Sequence, residues 1–219
     1  ENSELLDLAA DDPAYRQRSI DNLQRVVDAT LEIGEFFPDA DARLIVANIG
    51  GFSADEPRPL AMRAELYDRF HEACRQVDFA GTELIPQNMA PFPWHFGGQR
   101  HQNIFMMPEE LAAQAREHDL RLCLDLSHLQ MTCFHFGLDF QQALALFDDL
   151  GCNMVRCWGG NVYEDHVFFD RCDELGLLAW QDFAFACCRY PQTEDFLARV
   201  RTEAEIIVEK LRNHPSLAI

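Results

Sequence analysis

The chain of 219 residues carries 37 acidic and 18 basic side chains, a formal charge of −19, and 48% of its residues are hydrophobic, 17 of them Phe. That composition supplies one large apolar core, and its negative excess repels phosphate backbones and anionic lipid, which argues against nucleic acid and membrane surfaces as partners. No apolar run is long enough to span a bilayer, and the opening residues Glu1 to Glu4 are neither a signal peptide nor an initiator Met, so the chain is expected to begin mid-protein and to lack a transmembrane segment.

In chain order, periodicity predicts a helix over 13–33 with Ile20, Leu23, Val26, Val27 and Leu31 on one stripe, then a buried strand over 43–49 ending in Gly50-Gly51. The same unit returns as a helix over 60–77, a strand over 82–86, a long loop over 87–107, a helix over 108–118 and a strand over 120–126. Pro108 suits the first helical position, and Glu109 and Glu110 suit the positive end of the helix dipole. Alternation continues with a helix over 140–150, a strand over 153–158, a helix over 164–175, a strand over 177–182, a helix over 193–213 and an incipient strand over 217–219.

Five or six strands rich in Ile, Leu, Val and Cys, alternating with helices, predict parallel strands covered by helices. No GxGxxG or Walker-type loop follows a first strand, and polar and aromatic residues collect after the carboxyl end of each strand. The expected class is therefore α/β of the (β/α)8 TIM-barrel type, incomplete or hybrid because eight strands are not recognised, in a single domain over 1–219. The edges left open by such a strand count point to a homo-oligomer that covers them. The eight Cys show no CxxC spacing, and Cys123 and Cys157 fall in apolar strands while Cys187 and Cys188 are adjacent. They read as buried free thiols in a reducing, cytoplasmic setting.

Two constellations carry chemistry. In the first, Gln87 and Asn88 end one strand, and Asp125 ends the next with His128 three residues on. A carboxylate, an imidazole and the Gln87 amide on adjacent strand ends suit a divalent metal such as Mg, Mn, Co or Zn. Equally, Asp125 can cap the following turn and His128 can be a core histidine. The loop beside them, with Trp94 and His95 at its centre, offers aromatic faces and hydrogen-bonding groups for a polyol, or else covers the barrel end. Gln87-Asn88 and Asp125-x-x-His128 resemble the xylose-isomerase-like sugar phosphate isomerases and epimerases over roughly residues 10–140. That resemblance implies a (β/α)8 barrel, and a metal held by Gln87, Asp125 and His128. Because Gln stands where the family has Glu, residue 87 can bind metal but cannot act as a base.

In the second, Arg156 and Trp158 end one strand and Trp180 and Asp182 the next, so two indoles, a cation and a carboxylate share one mouth. They suit a pyranose, stacked on its apolar face and hydrogen-bonded at its hydroxyls, or form a buried ion pair with two packing Trp residues. The strings WGGNVYED, FFDRCDELGLLAWQDFAFAC and RNHPSLAI resemble the catalytic barrel of the β-mannosidases of glycoside hydrolase family two over roughly residues 142–219. This resemblance implies that Arg156 and Trp158 line a sugar subsite, supported by Trp180 and Asp182. It also implies an acid/base Glu and a nucleophile Glu, both expected beyond Ile219, so the catalytic residues are unknown. Retaining glycosidases need two carboxyl groups about 5 to 5.5 Å apart, and neither Glu164-Asp165 nor Asp182 makes a convincing substitute.

The two resemblances abut near residues 138–145, where a helix over 141–150 with Leu144, Phe147 and Leu150 on its inner stripe forms the seam. The combined expectation is a carbohydrate-processing barrel, β-mannosidase-like by its strongest motif, with two alternatives. One is a divalent-metal-dependent sugar or sugar phosphate isomerase or epimerase, and the other is an inactive sugar-binding or structural barrel fragment.

Overall fold

The computed structural model describes residues 5–36, 43–95, 98–149, 151, 153–160, 162–186 and 189–218. Helix α1 (Pro13–Gly34) starts where the Asp12 carboxylate accepts the Ala14 N–H at 2.9 Å and Pro13 fixes the first turn, and it buries Ile20, Leu23 and Val27. Val26, expected on that stripe, is exposed. Strand β1 (Arg43–Ala47) leads through β2 (Phe52–Ser53) and a 3-10 turn at Leu60–Met62 into α2 (Arg63–Arg75), whose Leu66, Tyr67, Phe70 and Ala73 face inward. After β3 (Thr82–Pro86), the long loop carries three short strands, β4 (Trp94–His95), β5 (Gly98–Gln99) and β6 (His101–Gln102). These pair as an antiparallel β4/β5 hairpin and an antiparallel β2/β6 ribbon, so the loop is braced against the segment that follows β1.

Helices α3 (Pro108–His118), α4 (Leu126–Phe136) and α5 (Phe140–Asp149) then precede β7 (Met154–Cys157), α6 (His166–Leu175), β8 (Leu178–Gln181), α7 (Glu194–Leu211) and β9 (Leu217–Ala218). The sequence reading assigns 120–126 to a strand and overlooks α4. Only single bridges at Cys123 and Asp125 remain of that strand, because Asp125 turns the chain into a helix and caps it. Helix α4 has no amphipathic contrast to betray it: Leu126, Leu129 and Cys133 are buried, while Met131, Phe134 and Phe136 lie outside, Phe134 at 90% exposure.

Strands β1 and β3 are parallel, with Arg43 opposite Thr82 and Ala47 opposite Pro86. The row continues through the parallel bridges Gln87 to Cys123 and Asp125 to Arg156, then through the parallel β7, β8 and β9. Spatial order equals chain order throughout, as in a (β/α) barrel and unlike a doubly wound sheet, where the order reverses at a switch point. Among the described residues the row does not close. The helix-facing side chains Ile45, Val155, Cys157 and Ala179 are buried, whereas Leu44 (46% exposed), Val46 (54%) and Trp180 (48%) point to an uncovered inner face.

One contiguous apolar cluster joins both parts of the chain, from Leu8, Ile20, Phe70 and Phe105 through Leu129 and Leu144 to Val155, Phe169 and Leu211. Of the predicted seam stripe, Leu144 is fully buried; the Phe147 side chain and Leu150 lie outside the described residues. Cys74, Cys123, Cys133, Cys157 and Cys172 are free thiols, and Cys152, Cys187 and Cys188 lie outside the description. No helix among the described residues is long and apolar enough to cross a membrane.

Ahead of α1, residues 7–9 lie beside the end of β1. The Leu8 N–H donates to the Ile49 carbonyl, and the buried Asp7 carboxylate accepts N–H bonds from Ala9 at 3.0 Å and Gly51 at 2.8 Å. Gly50 has φ 94°, and a Cβ there would fall 2.3 Å from the Asp7 Cα, so only glycine permits this approach. Burial lifts the Asp7 carboxyl to about 6 despite its two N–H donors. A raised carboxyl stabilises the fold fully below the unfolded value near 4, and that contribution is lost as pH rises through 6. Asp7→Asn should therefore match the parent at pH 4 and exceed it at pH 7 by up to about 3 kcal/mol. Urea unfolding at the two pH values checks this, and an equal difference at both would refute it.

Candidate functional site

The Gln87, Asn88, Asp125 and His128 group sits at the carboxyl ends of β3 and of the bridge segment after it. Asn88, 1% exposed, clamps residue 125: its Oδ1 accepts the Asp125 N–H, and its Nδ2 donates to the Asp125 carbonyl at 2.9 Å. The Asp125 Oδ1 accepts the His128 N–H at 3.1 Å, closing the first turn of α4, and Oδ2 accepts the Gln87 amide at 3.1 Å. The His128 Nδ1 donates to the Asn88 carbonyl at 2.8 Å and lies 3.7 Å from the Asp125 Oδ2. The three predicted ligands thus come together with a fourth residue that sequence reasoning noticed only as a neighbour. The arrangement contains a helix cap locked by an amide.

The second group stands on the next two strand ends. Arg156 Nη2 donates to Asp182 Oδ2 at 2.7 Å, and the guanidinium lies 5.5 Å from the Trp180 ring centroid. Asp182 also accepts the Gly159 N–H at 3.2 Å, which fixes the carboxylate against the turn after β7. The pair is not buried, since the Arg156 side chain is 51% exposed and that of Asp182 21%. Gly159 belongs here because a Cβ would meet the Phe183 carbonyl oxygen at 2.3 Å. The Trp158 ring lies over Gly160, where a Cβ would strike it. Beside Asp182, Gln181 and Phe183 line a mostly apolar cleft of about 250 Å³ closed by Ile207, Val208, Leu211 and Leu217.

Asp125 and Arg156 are register partners across neighbouring strands, so the two groups occupy adjacent positions on one rim. In the covering loop, the His95 ring packs 5.1 Å from Phe52, and burial followed by the Arg100 charge holds its imidazole below the usual range. Its Nε2 is buried without a hydrogen-bond partner, as are His101 Nδ1 and Gln181 Oε1. The Trp94 side chain lies outside the described residues. Burial, and then the like charge of Asp165, lift the half-buried Glu164 carboxyl above its ordinary value. A third group, which the sequence reading did not pick out, joins Asp170 and Asp173 on α6 to His214 at the opposite end of the strands.

Comparison with known proteins gives two likenesses. The Xylose isomerase-like TIM barrel family model matches residues 2–152, more than half of the chain. Beta-mannosidase B of Aspergillus fumigatus is 52% identical over 66 residues, 30% of this chain. The chain spans only 8% of the length of that relative. Among solved structures, the 3-keto-D-glucoside 4-epimerase from E. coli superposes with a TM-score of 0.56 at 14% identity, covering 93% of this chain and 75% of that one. An L-ribulose 3-epimerase gives 0.57 at 14% identity over 95% and 74%. The two epimerase structures show the fold alone.

The Asn88 clamp yields a prediction about the rim. Asn88→Ala leaves the Asp125 N–H buried without a partner and removes one of the two bonds to the Asp125 carbonyl, which still accepts the Leu129 N–H, so it should cost about 2 kcal/mol in urea unfolding. Gln87→Ala, which removes one bond from the buried Asp125 carboxylate, should cost about 1 kcal/mol. Equal effects of the two would show that Asn88 is not the clamp.

Proposed function

We propose that this chain, which belongs to the Xylose isomerase-like TIM barrel family, is a carbohydrate-processing barrel that binds sugar at the carboxyl rim of its strands. The observation that carries this reading is the Arg156–Asp182 pair, its guanidinium half-exposed, beside the Trp180 ring on the uncovered inner face. A guanidinium beside a carboxylate offers donors and acceptors to vicinal hydroxyls, and the indole receives the C–H face of a pyranose. The orientation of Asp182 is already fixed by the Gly159 N–H, so little order is lost on binding. The short stretch of identity with beta-mannosidase B supports a β-mannoside as the sugar.

The resemblance to isomerases and epimerases implies a divalent metal on Gln87, Asp125 and His128. As arranged, Gln87 turns its N–H rather than its oxygen toward Asp125 and so is not set as a ligand, while the Asp125 carboxylate and the His128 ring, its Nδ1 held by the Asn88 carbonyl, keep the chemistry of ligands. No reaction step is therefore routed through a metal at this rim. For hydrolysis, the carboxyl groups here are the capped Asp125, the paired Asp182 and the raised Glu164. Burial lifts the Glu164 carboxyl above its ordinary value, the direction a general acid requires.

Titration of the chain with methyl β-mannoside, followed by NMR, should shift the indole resonances of Trp158 and Trp180. Trp158→Ala and Trp180→Ala should each weaken binding by about tenfold, the loss expected from one stacked ring. Trp94→Ala should weaken it too if the covering loop closes on the sugar. Unchanged affinity in both the Trp158 and Trp180 variants would remove the rim as the subsite. Turnover of an aryl β-mannoside that is abolished by Glu164→Gln would extend the reading from binding to hydrolysis.

A further inference from the structure

The amino-terminal side of the strands, away from the rim, holds a second set of chemically active side chains. Helix α6 presents His166, Asp170 and Asp173 at spacings of four and three residues, which align them along one helical stripe. Opposite this stripe stands His214, in the turn between α7 and β9, its side chain 10% exposed and its ring 5.2 Å from that of Phe169. His214 Nδ1 lies 2.8 Å from Asp173 Oδ2 and 3.7 Å from Asp170 Oδ1. His214 Nε2 lies 2.8 Å from His166 Nδ1. One ligand atom from each of Asp170, Asp173 and His214 falls within 4.8 Å of the other two.

We propose that Asp170, Asp173 and His214 form a site for a divalent transition metal of the zinc class, which ties α6 to the turn leading into β9. Four features support it. Ligand atoms on a tetrahedral ion with bonds of about 2.1 Å stand about 3.4 Å apart, and the observed separations of 2.8 and 3.7 Å bracket that value. One imidazole nitrogen with two carboxylates suits zinc, cobalt or manganese better than the all-oxygen shells of calcium. Asp173 is already oriented, because its other oxygen accepts the Ser216 N–H at 2.8 Å. The fourth feature is the supporting hydrogen bond that a metal-binding imidazole requires on its second nitrogen, here offered by His166.

The proton count closes. Without metal, the acceptor-only Asp173 carboxylate requires hydrogen on His214 Nδ1, so His166 Nδ1 donates to His214 Nε2. With metal on Nδ1, that hydrogen moves through water to His214 Nε2 and donates to His166 Nδ1. The hydrogen on His166 moves in turn to its own Nε2. Both rings change tautomer and no net proton is released. Access is open, because the Asp170 side chain is 64% exposed. The site does not share residues with the rim and does not depend on the sugar-binding reading.

The test uses the whole chain without a histidine tag. Zinc added to metal-free protein should bind one equivalent and raise the melting temperature by about 5 °C when the free ion is well above its dissociation constant. The nitrogen-15 NMR pattern of His214 should switch from the Nδ1–H to the Nε2–H tautomer. Asp170→Asn changes an exposed side chain, so it should keep the fold while weakening zinc at least tenfold and losing the thermal shift. His128→Ala should leave all three readouts as they are. The proposal is overturned if wild-type protein binds no equivalent, if Asp170→Asn binds as tightly as wild type, or if His128→Ala rather than Asp170→Asn removes the ion.

Discussion

Residue 125 is the constraint on which the rest of the molecule depends. Its backbone is the register partner of Arg156, the bridge by which the strand row passes from the xylose-isomerase-like part to β7 and β8. Its side chain caps α4, and its N–H and carbonyl are held by the buried Asn88. A strand that must end in a helix cap cannot run to full length, which is why 120–126 pairs only by single bridges. The same economy fixes the rim: by holding Asp125, Asn88 also sets where β7 begins beside it, and hence where Arg156 meets Asp182.

Continuity across the junction rests on packing as much as on that bridge. Helix α5 inserts Ala143 and Leu144 into a cluster that includes Leu129 from before the junction and Val155 after it. Hydrophobic burial is not directional, so an inner stripe of suitable volume can serve strands of either ancestry. Hydrogen-bond register is less forgiving, and this explains why the junction retains one bridge rather than a full strand pair.

Much of this was legible in the sequence, and what was hidden has physical causes. Parallel strands alternating with helices follow from apolar runs and capping signals, and α3 begins and ends where Pro108 and His118 predict. Helix α4 was invisible because Phe134 and Phe136 stand on its outer side, erasing the periodicity that marks a helix. Gln87, Asp125 and His128 do lie together as their spacing suggests, but spacing cannot tell a ligand set from a cap, because both place a carboxylate beside the first turn of a helix. Asp173 and His214, 41 residues apart, offered no local signal, since only the return of α7 brings the turn before β9 onto α6.

The uncovered inner face unites these features. In a closed barrel, layers of side chains from alternate strands fill the interior. Here Leu44, Val46 and Trp180 remain exposed while their neighbours on the helix side are buried, so the helices supply most of the cohesion. That division relieves the rim of a packing role. Trp180 can stay exposed because Ala179 and Val155, not the indole, anchor their strands to the core. The amino-terminal side carries the opposite assignment, with His214 and Asp173 fastening α6 to the turn before β9 where α7 buries only Leu211. A sheet with an open face thus keeps the Arg156–Asp182 pair at one end and the His214–Asp173 fastening at the other, and a change at either end should leave the other's geometry intact.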